Sequence, residues 1–244
     1  MVLDHPVAVV SAVFVVYLVL VSVLWRVNHV DYEALAESRE SVVRGIVVPI
    51  GAAAVLVAVV TTVLRWWQPV LVQGTRPGPA WALVVPVLLT VMAVLGASSV
   101  GYTSPRRDIL PLLAVGVLLV GFAEEVMTRG LLIVGARDAG WSETQVMLFS
   151  CALFALLHGI NALFGQSVPR TLVQVGLTFA AGAAFYVTRM TTGTLVVCIL
   201  LHALWDFGTL GTQATGRQLR PVTLVVVPVV YVVALVAAWV VAGR

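Results

Sequence analysis

Residues 109–134 read ILPLLAVGVLLVGFAEEVMTRGLLIV, an apolar run that is interrupted near its centre by Glu124, Glu125 and Arg129. A helix needs about 20 predominantly apolar residues to cross the hydrocarbon core of a bilayer, so this run is long enough to span a membrane. Charged side chains are costly at the middle of such a helix. The run therefore predicts a transmembrane helix whose charged residues share a polar interior with other helices.

The composition of the whole chain supports a membrane protein. The 244 residues are 61% hydrophobic and 10% charged, whereas about 25% of the residues of a soluble domain are charged. The apolar runs are unbroken and lack the alternation expected of a transmembrane barrel. We predict an all-α polytopic bundle of about eight transmembrane helices with a polar cavity inside the membrane. The predicted spans are residues 6–25, 45–64, 80–100, 109–134, 144–160, 171–188, 192–210 and 222–242.

The chain reads as a single membrane domain, residues 1–244, whose motif-bearing core is residues 121–207. Residues 28–44 carry charges at helical spacing and predict a short amphipathic helix at the membrane surface. The first apolar run lacks a basic leader and a cleavage site, which favours a retained helix over a signal peptide. Arginine is used without lysine, a weak indication of a bacterial or archaeal cell membrane.

The loop arginines give a weak indication of orientation. Cytoplasmic loops of membrane proteins carry an excess of Lys and Arg, and here the odd-numbered loops carry more of them than the opposite side. This bias places the odd-numbered loops in the cytoplasm and both termini outside, and it needs no nucleic-acid partner to explain the net charge of +3. The odd loops hold Arg26, Arg39, Arg44, Arg106, Arg107, Arg170, Arg217 and Arg220, and the other side holds Arg65, Arg76, Arg137, Arg189 and Arg244.

The ionisable residues within spans follow helical spacing. Glu125 and Arg129 are at i and i+4, the favourable order for an intrahelical ion pair, and Glu124 lies about 100° round the helix without that partner. His202 and Asp206 share one helix face and can hydrogen-bond directly, as when a carboxylate orients an imidazole. A purely structural role for each pair taken alone stays open, but several such groups on three helices favour one shared site.

Together these residues resemble the CPBP family, the CAAX proteases and bacteriocin-processing enzymes also called the Abi family. The resemblance rests on three ordered motifs on separate predicted helices, and it extends over about residues 121–207. The last position departs from the prenyl-protein endopeptidases of the family, which usually have Asn where this chain has Asp206. The motifs are Glu124-Glu125-x-x-x-Arg129, Phe154-x-x-x-His158 and His202-x-x-x-Asp206.

The resemblance implies an intramembrane endopeptidase that acts on peptides or prenylated proteins. Glu124 would activate a water as general base, and His158 and His202 would position that water and donate hydrogen bonds to the tetrahedral oxyanion. Asp206 would hold the ring of His202. Metal dependence stays open, because two histidines and a carboxylate could also form a catalytic zinc site.

Two other classes of protein fit the same residues. A non-catalytic membrane scaffold or immunity protein could retain the motifs, and a proton-coupled transporter also places Glu, His and Asp inside the bilayer. A transporter would typically show repeated halves with broken helices, and the sequence shows neither. The oligomeric state and the identity of the substrate are not indicated by any residue pattern.

Overall fold

The computed structural model describes residues 4–74 and 78–244, and the described chain folds into helices. Eight helices in these residues are long and apolar enough to cross a membrane, which confirms the predicted all-α polytopic fold. A ninth helix, Trp67–Leu71, is short and was not predicted. In chain order the helices are α1 Pro6–Val27, α2 Arg39–Leu64, α3 Trp67–Leu71, α4 Ala80–Ala97, α5 Arg107–Asp138, α6 Glu143–Phe164, α7 Val168–Thr192, α8 Leu195–Thr215 and α9 Pro221–Ala242.

Helix α5, which carries the Glu-Glu-x-x-x-Arg motif, lies at the centre of the bundle. It packs against α1, α2, α6 and α8, and more of it is buried than of the other spanning helices. Gly121 permits the approach of α8, since a Cβ atom there would lie 2.5 Å from the carbonyl oxygen of Ile199. Small residues at such crossings let helix backbones come into contact inside a membrane.

The backbone of α5 widens into a π-helical turn at Val126–Leu131, directly after the two glutamates. π turns are rare and often occur at functional sites because they change the direction in which side chains point. Polar side chains bond to backbone carbonyls around this turn: the Thr128 hydroxyl donates to the carbonyl of Glu124 at 2.6 Å, and the Ser150 hydroxyl donates to the carbonyl of Thr128 at 2.8 Å. Hydroxyl groups of this kind satisfy backbone groups that water cannot reach.

The prediction of an amphipathic surface helix over residues 28–44 is wrong. After α1 the chain forms short turns and a single 3₁₀ turn at Tyr32–Ala34. Helix α2 then begins at Arg39, because Ser38 and Ser41 form a capping box that satisfies the first free backbone N–H groups. The charges at helical spacing are therefore divided between a loop and the first turns of a spanning helix.

The eight spans place the two termini on the same side of the bundle. Arg76, one of the arginines used to predict the orientation, lies outside the described residues. The assignment of the odd-numbered loops to the cytoplasm stays a prediction.

Reporter proteins fused before Pro6 and after Ala242 should report the same side of the membrane, because an even number of spans separates them. A reporter inserted near Gly216, in the loop between α8 and α9, should report the opposite side. The measurement is the activity of reporters that fold in one compartment only. Termini on opposite sides would show that one of the eight helices does not cross the membrane.

Candidate functional site

Four of the six site residues predicted from the sequence line one cavity inside the bundle. Glu124, His158, His202 and Asp206 come from α5, α6 and α8 and meet in a cavity of about 450 Å³. A volume of this size is within the range of small-molecule and cofactor sites. Much of the remaining wall is aromatic or aliphatic and includes Trp25, Ile46, Ile50, Trp205 and Tyr231.

Glu125 lies behind the cavity wall and binds two partners. Its Oε1 atom accepts from Arg129 Nη1 at 3.1 Å and from His202 Nδ1 at 2.8 Å. The predicted ion pair with Arg129 is therefore present, and both side chains are completely buried. A buried charge needs such a partner, since an isolated ion would carry the full cost of its lost hydration.

The hydrogen bond predicted between His202 and Asp206 is not formed. The distance from His202 Nε2 to Asp206 Oδ2 is 3.6 Å, too long for a hydrogen bond. The ring is instead oriented by Glu125, which lies on another helix and reaches the opposite nitrogen. Spacing along one helix could not reveal this, because the closer partner comes from tertiary packing. Asp206 stays beside His202 as a second carboxylate on the cavity wall.

Two phenylalanines hold the charged groups in place. The guanidinium carbon of Arg129 lies 3.9 Å from the centre of the Phe154 ring and 5.3 Å from that of Phe185. Phe185 also stacks on His202, with ring centres 5.1 Å apart. Phe154 belongs to a predicted motif, but Phe185 was missed. The signal that could have found it is the run of small residues, 180–184, which indicates close helix packing just before it.

The hydrogen bond of His158 determines which of its nitrogens carries the proton. Nδ1 lies 3.1 Å from the backbone carbonyl of Phe154. A carbonyl oxygen can only accept, so Nδ1 must be the protonated nitrogen. In the neutral ring Nε2 is then an acceptor, and the donor role expected for His158 is not available to it in that state.

Glu124 differs from its neighbour Glu125 in lining the cavity and in having neither Arg129 nor His202 within hydrogen-bond distance. The side chain of Glu124 is buried, and its Oε2 atom, like that of Glu125, has no hydrogen-bond partner among the described residues. His202 Nε2 lies 3.8 Å away, beyond direct hydrogen bonding. An unpaired buried oxygen is energetically costly and is commonly satisfied by a water molecule or a ligand. Glu124 therefore offers the cavity a free acceptor, whereas Glu125 lies behind the wall and is bound to Arg129 and His202 through its Oε1 atom.

Three polar side chains joined by hydrogen bonds also lie on the cavity wall. Asn161 Nδ2 donates to Gln174 Oε1 at 3.0 Å, and Gln174 Nε2 donates to the hydroxyl oxygen of Tyr32 at 2.7 Å. Burial, with smaller contributions from the carboxylates of Asp206 and Glu124, raises the pKa of Tyr32 to about 12. Tyr32 therefore keeps its proton at neutral pH.

The side chains of the site bear on whether it could hold a zinc ion. Within residues 4–74 and 78–244, no three His, Cys, Asp or Glu side chains are grouped closely enough to hold a metal ion. A catalytic zinc normally has three protein ligands, so the arrangement of these residues does not fit one. The steps proposed below use only the side chains of the chain itself.

The fold and the site define a class of protein: a polytopic helical membrane protein with carboxylates and imidazoles gathered around an internal cavity. Residues 106–208 match the family model described as Rce1-like, type II CAAX prenyl endopeptidase Rce1-like. The match contains all three motifs and confirms the resemblance to the CPBP family. At the family level it supports a CAAX-type intramembrane protease. No curated protein matches the chain significantly.

Replacing Arg129 with alanine should destabilise the protein by about 3–5 kcal/mol, because it leaves Glu125 buried without its cation. Replacing Arg39 with alanine is the matched control. Its ion pair with Asp108 lies at the surface, with both side chains more than half exposed, and such pairs contribute about 1 kcal/mol or less. Unfolding measured in detergent should separate the two variants. Equal stability would contradict a structural role for the buried pair.

Proposed function

We propose that this protein is an intramembrane endopeptidase in which Glu124 activates the attacking water. One observation carries the proposal: Glu124 presents a buried oxygen that has no partner among the described residues, on a cavity that it shares with His158 and His202. A general base must reach the water from which it takes a proton. Glu124 lines the cavity, whereas Glu125 lies behind the cavity wall and is paired with Arg129.

In the proposed reaction the water donates one hydrogen bond to Glu124 Oε2 and the other to His158 Nε2. The carboxylate takes the first proton as the water oxygen attacks the carbonyl carbon of the peptide bond. The tetrahedral intermediate then collapses, the C–N bond breaks, and the nitrogen leaves with the proton held by Glu124. Both products are thus accounted for, a carboxylic acid and an amine, and no covalent enzyme intermediate is required.

His202 would help to position the attacking water from the side opposite His158. Glu125 holds its Nδ1 and Phe185 stacks on its ring, so Nε2 is directed towards Glu124 and Asp206. A ring fixed in this way keeps its position through the reaction without reorganisation, which is how pre-oriented groups stabilise a transition state. Glu125, Arg129 and Phe185 are on this proposal positioning residues, because they act through His202.

The substrate class we propose is a membrane-associated peptide, with prenylated CAAX-type tails as the first candidates. The family description supports this class. The cavity supports it as well, since Trp25, Ile46, Ile50 and Tyr231 supply an apolar wall close to the polar site. An apolar chain placed against that wall would leave water, which stabilises binding in proportion to the area buried.

Replacing Glu124 with glutamine should abolish cleavage of a prenylated peptide by the purified protein in detergent, because an amide cannot accept the proton. The variant should fold as well as the wild type, since the side chain keeps its shape. Glu40→Gln is the matched control: its partner Arg44 lies at the surface, and full activity is expected. Cleavage by the Glu124 variant at the wild-type rate would exclude this mechanism. If the wild-type protein cleaves none of a panel of prenylated and unmodified peptides, the result would favour the alternative of a non-catalytic membrane scaffold.

Replacing Asp206 with asparagine should lower the cleavage rate by less than about tenfold, or about 1.4 kcal/mol. The reason is that Glu125 continues to orient His202 when the charge at position 206 is lost. Activity of both proteins should survive prolonged chelation. A metal role would be shown by the opposite result: chelators silence the wild type, added zinc restores it, and the variant stays inactive.

A further inference from the structure

Tyr17 is a buried tyrosine in α1, a helix that precedes the family match and carries none of the three motifs. It belongs to a buried stripe at helical spacing along α1, which also contains Phe14, Val21 and Trp25. This stripe faces the bundle, whereas Val15, Val16 and Val19 are exposed where lipid would lie. Tyr17 is therefore directed to the protein interior from near the middle of the membrane.

The hydroxyl of Tyr17 shares a cavity with the proposed reacting groups. Tyr17 is only 1% exposed and lines the same cavity as Glu124, His158 and His202. In the part of the chain that the structure describes, this hydroxyl has no hydrogen-bond partner. A buried hydroxyl left unpaired typically costs about 1–3 kcal/mol, so its position calls for a ligand that supplies the missing bond.

The proposed hydrolysis leaves a place for this hydroxyl. When water attacks the peptide carbonyl, negative charge develops on the carbonyl oxygen and needs hydrogen-bond donors. The carboxylates of Glu124 and Asp206 only accept when ionised, and neutral His158 presents an acceptor at Nε2. His202 Nδ1 donates to Glu125, so its Nε2 atom is a donor only when the ring is protonated. The hydroxyl of Tyr32 is engaged by Gln174. Tyr17 has a donor that no described group uses.

We infer that Tyr17 is a catalytic residue whose hydroxyl donates a hydrogen bond to the oxyanion of the tetrahedral intermediate. The inference rests on the proposed function, because it assigns a donor for that reaction. It also gives the first span a role in the chemistry, since α1 carries the donor to the motif-bearing helices α5, α6 and α8. The residue would act mainly in the transition state, where the charge on the oxygen is largest.

The test is the kinetics of Tyr17→Phe, which removes the hydroxyl and keeps the ring. Loss of one oxyanion donor lowers kcat by about 10²–10³-fold, and kcat/KM should fall by the same factor, because the bond forms only in the transition state. Thermal stability should be equal to or higher than that of the wild type, since the variant no longer buries an unpaired hydroxyl.

Tyr186→Phe is the matched control. Its hydroxyl is also buried, but it donates to Glu143 at 2.8 Å, in a region that does not line the cavity. This variant should lose thermal stability and keep the wild-type kcat. A Tyr17 variant with unchanged kcat would overturn the inference, as would one whose kcat falls only together with its stability.

Glu124→Gln, measured in parallel, separates failure of the inference from failure of the proposed function. If the wild type cleaves, the Glu124 variant does not, and Tyr17→Phe equals the wild type, then the glutamate mechanism stands and Tyr17 has no catalytic role. If the wild type and both variants cleave nothing, the proposed function fails and the role of Tyr17 fails with it.

Discussion

The burial of Arg129 is the constraint on which the rest of the site depends. A guanidinium at the centre of a bilayer has no water to hydrate it, so the surrounding helices must supply its partners. Glu125 supplies the charge, and the rings of Phe154 and Phe185 lie close to the guanidinium. These residues come from three different helices, α5, α6 and α7. Enclosing one cation thus brings three spans into contact around it.

The same cluster positions His202 and thereby links the stability of the bundle to its proposed chemistry. Glu125 uses one oxygen for both Arg129 and His202, so movement of the arginine would move the imidazole. The π turn that follows Glu125 alters the angle between the motif residues from that of a regular helix. Polar groups that also serve the fold are held more rigidly than groups placed on loops, which is what a pre-organised site requires.

The sequence was sufficient to predict the spans because each is a long apolar run, a pattern that lipid imposes directly on the residues. It was also sufficient to predict the Glu125–Arg129 pair, which depends only on spacing within one helix. It was insufficient for contacts between helices. The partner of His202 proved to be Glu125 and not Asp206. Phe185 and Tyr17 occur outside the motifs: the small residues before Phe185 signal close packing alone, and nothing in the run around Tyr17 distinguishes it from residues that only pack.

The two adjacent glutamates show how position alone separates two functions in one residue type. Glu125 is bound to Arg129, one turn further along α5, and to His202 on α8. Glu124, one residue earlier, faces the cavity and keeps an oxygen unpaired within the described residues. If both carboxylates were paired, no group would be free to take a proton, and if both were free, the buried arginine would lack its anion. An adjacent pair on one helix meets both requirements, because a rotation of about 100° between neighbours turns one towards the protein and the other towards the cavity.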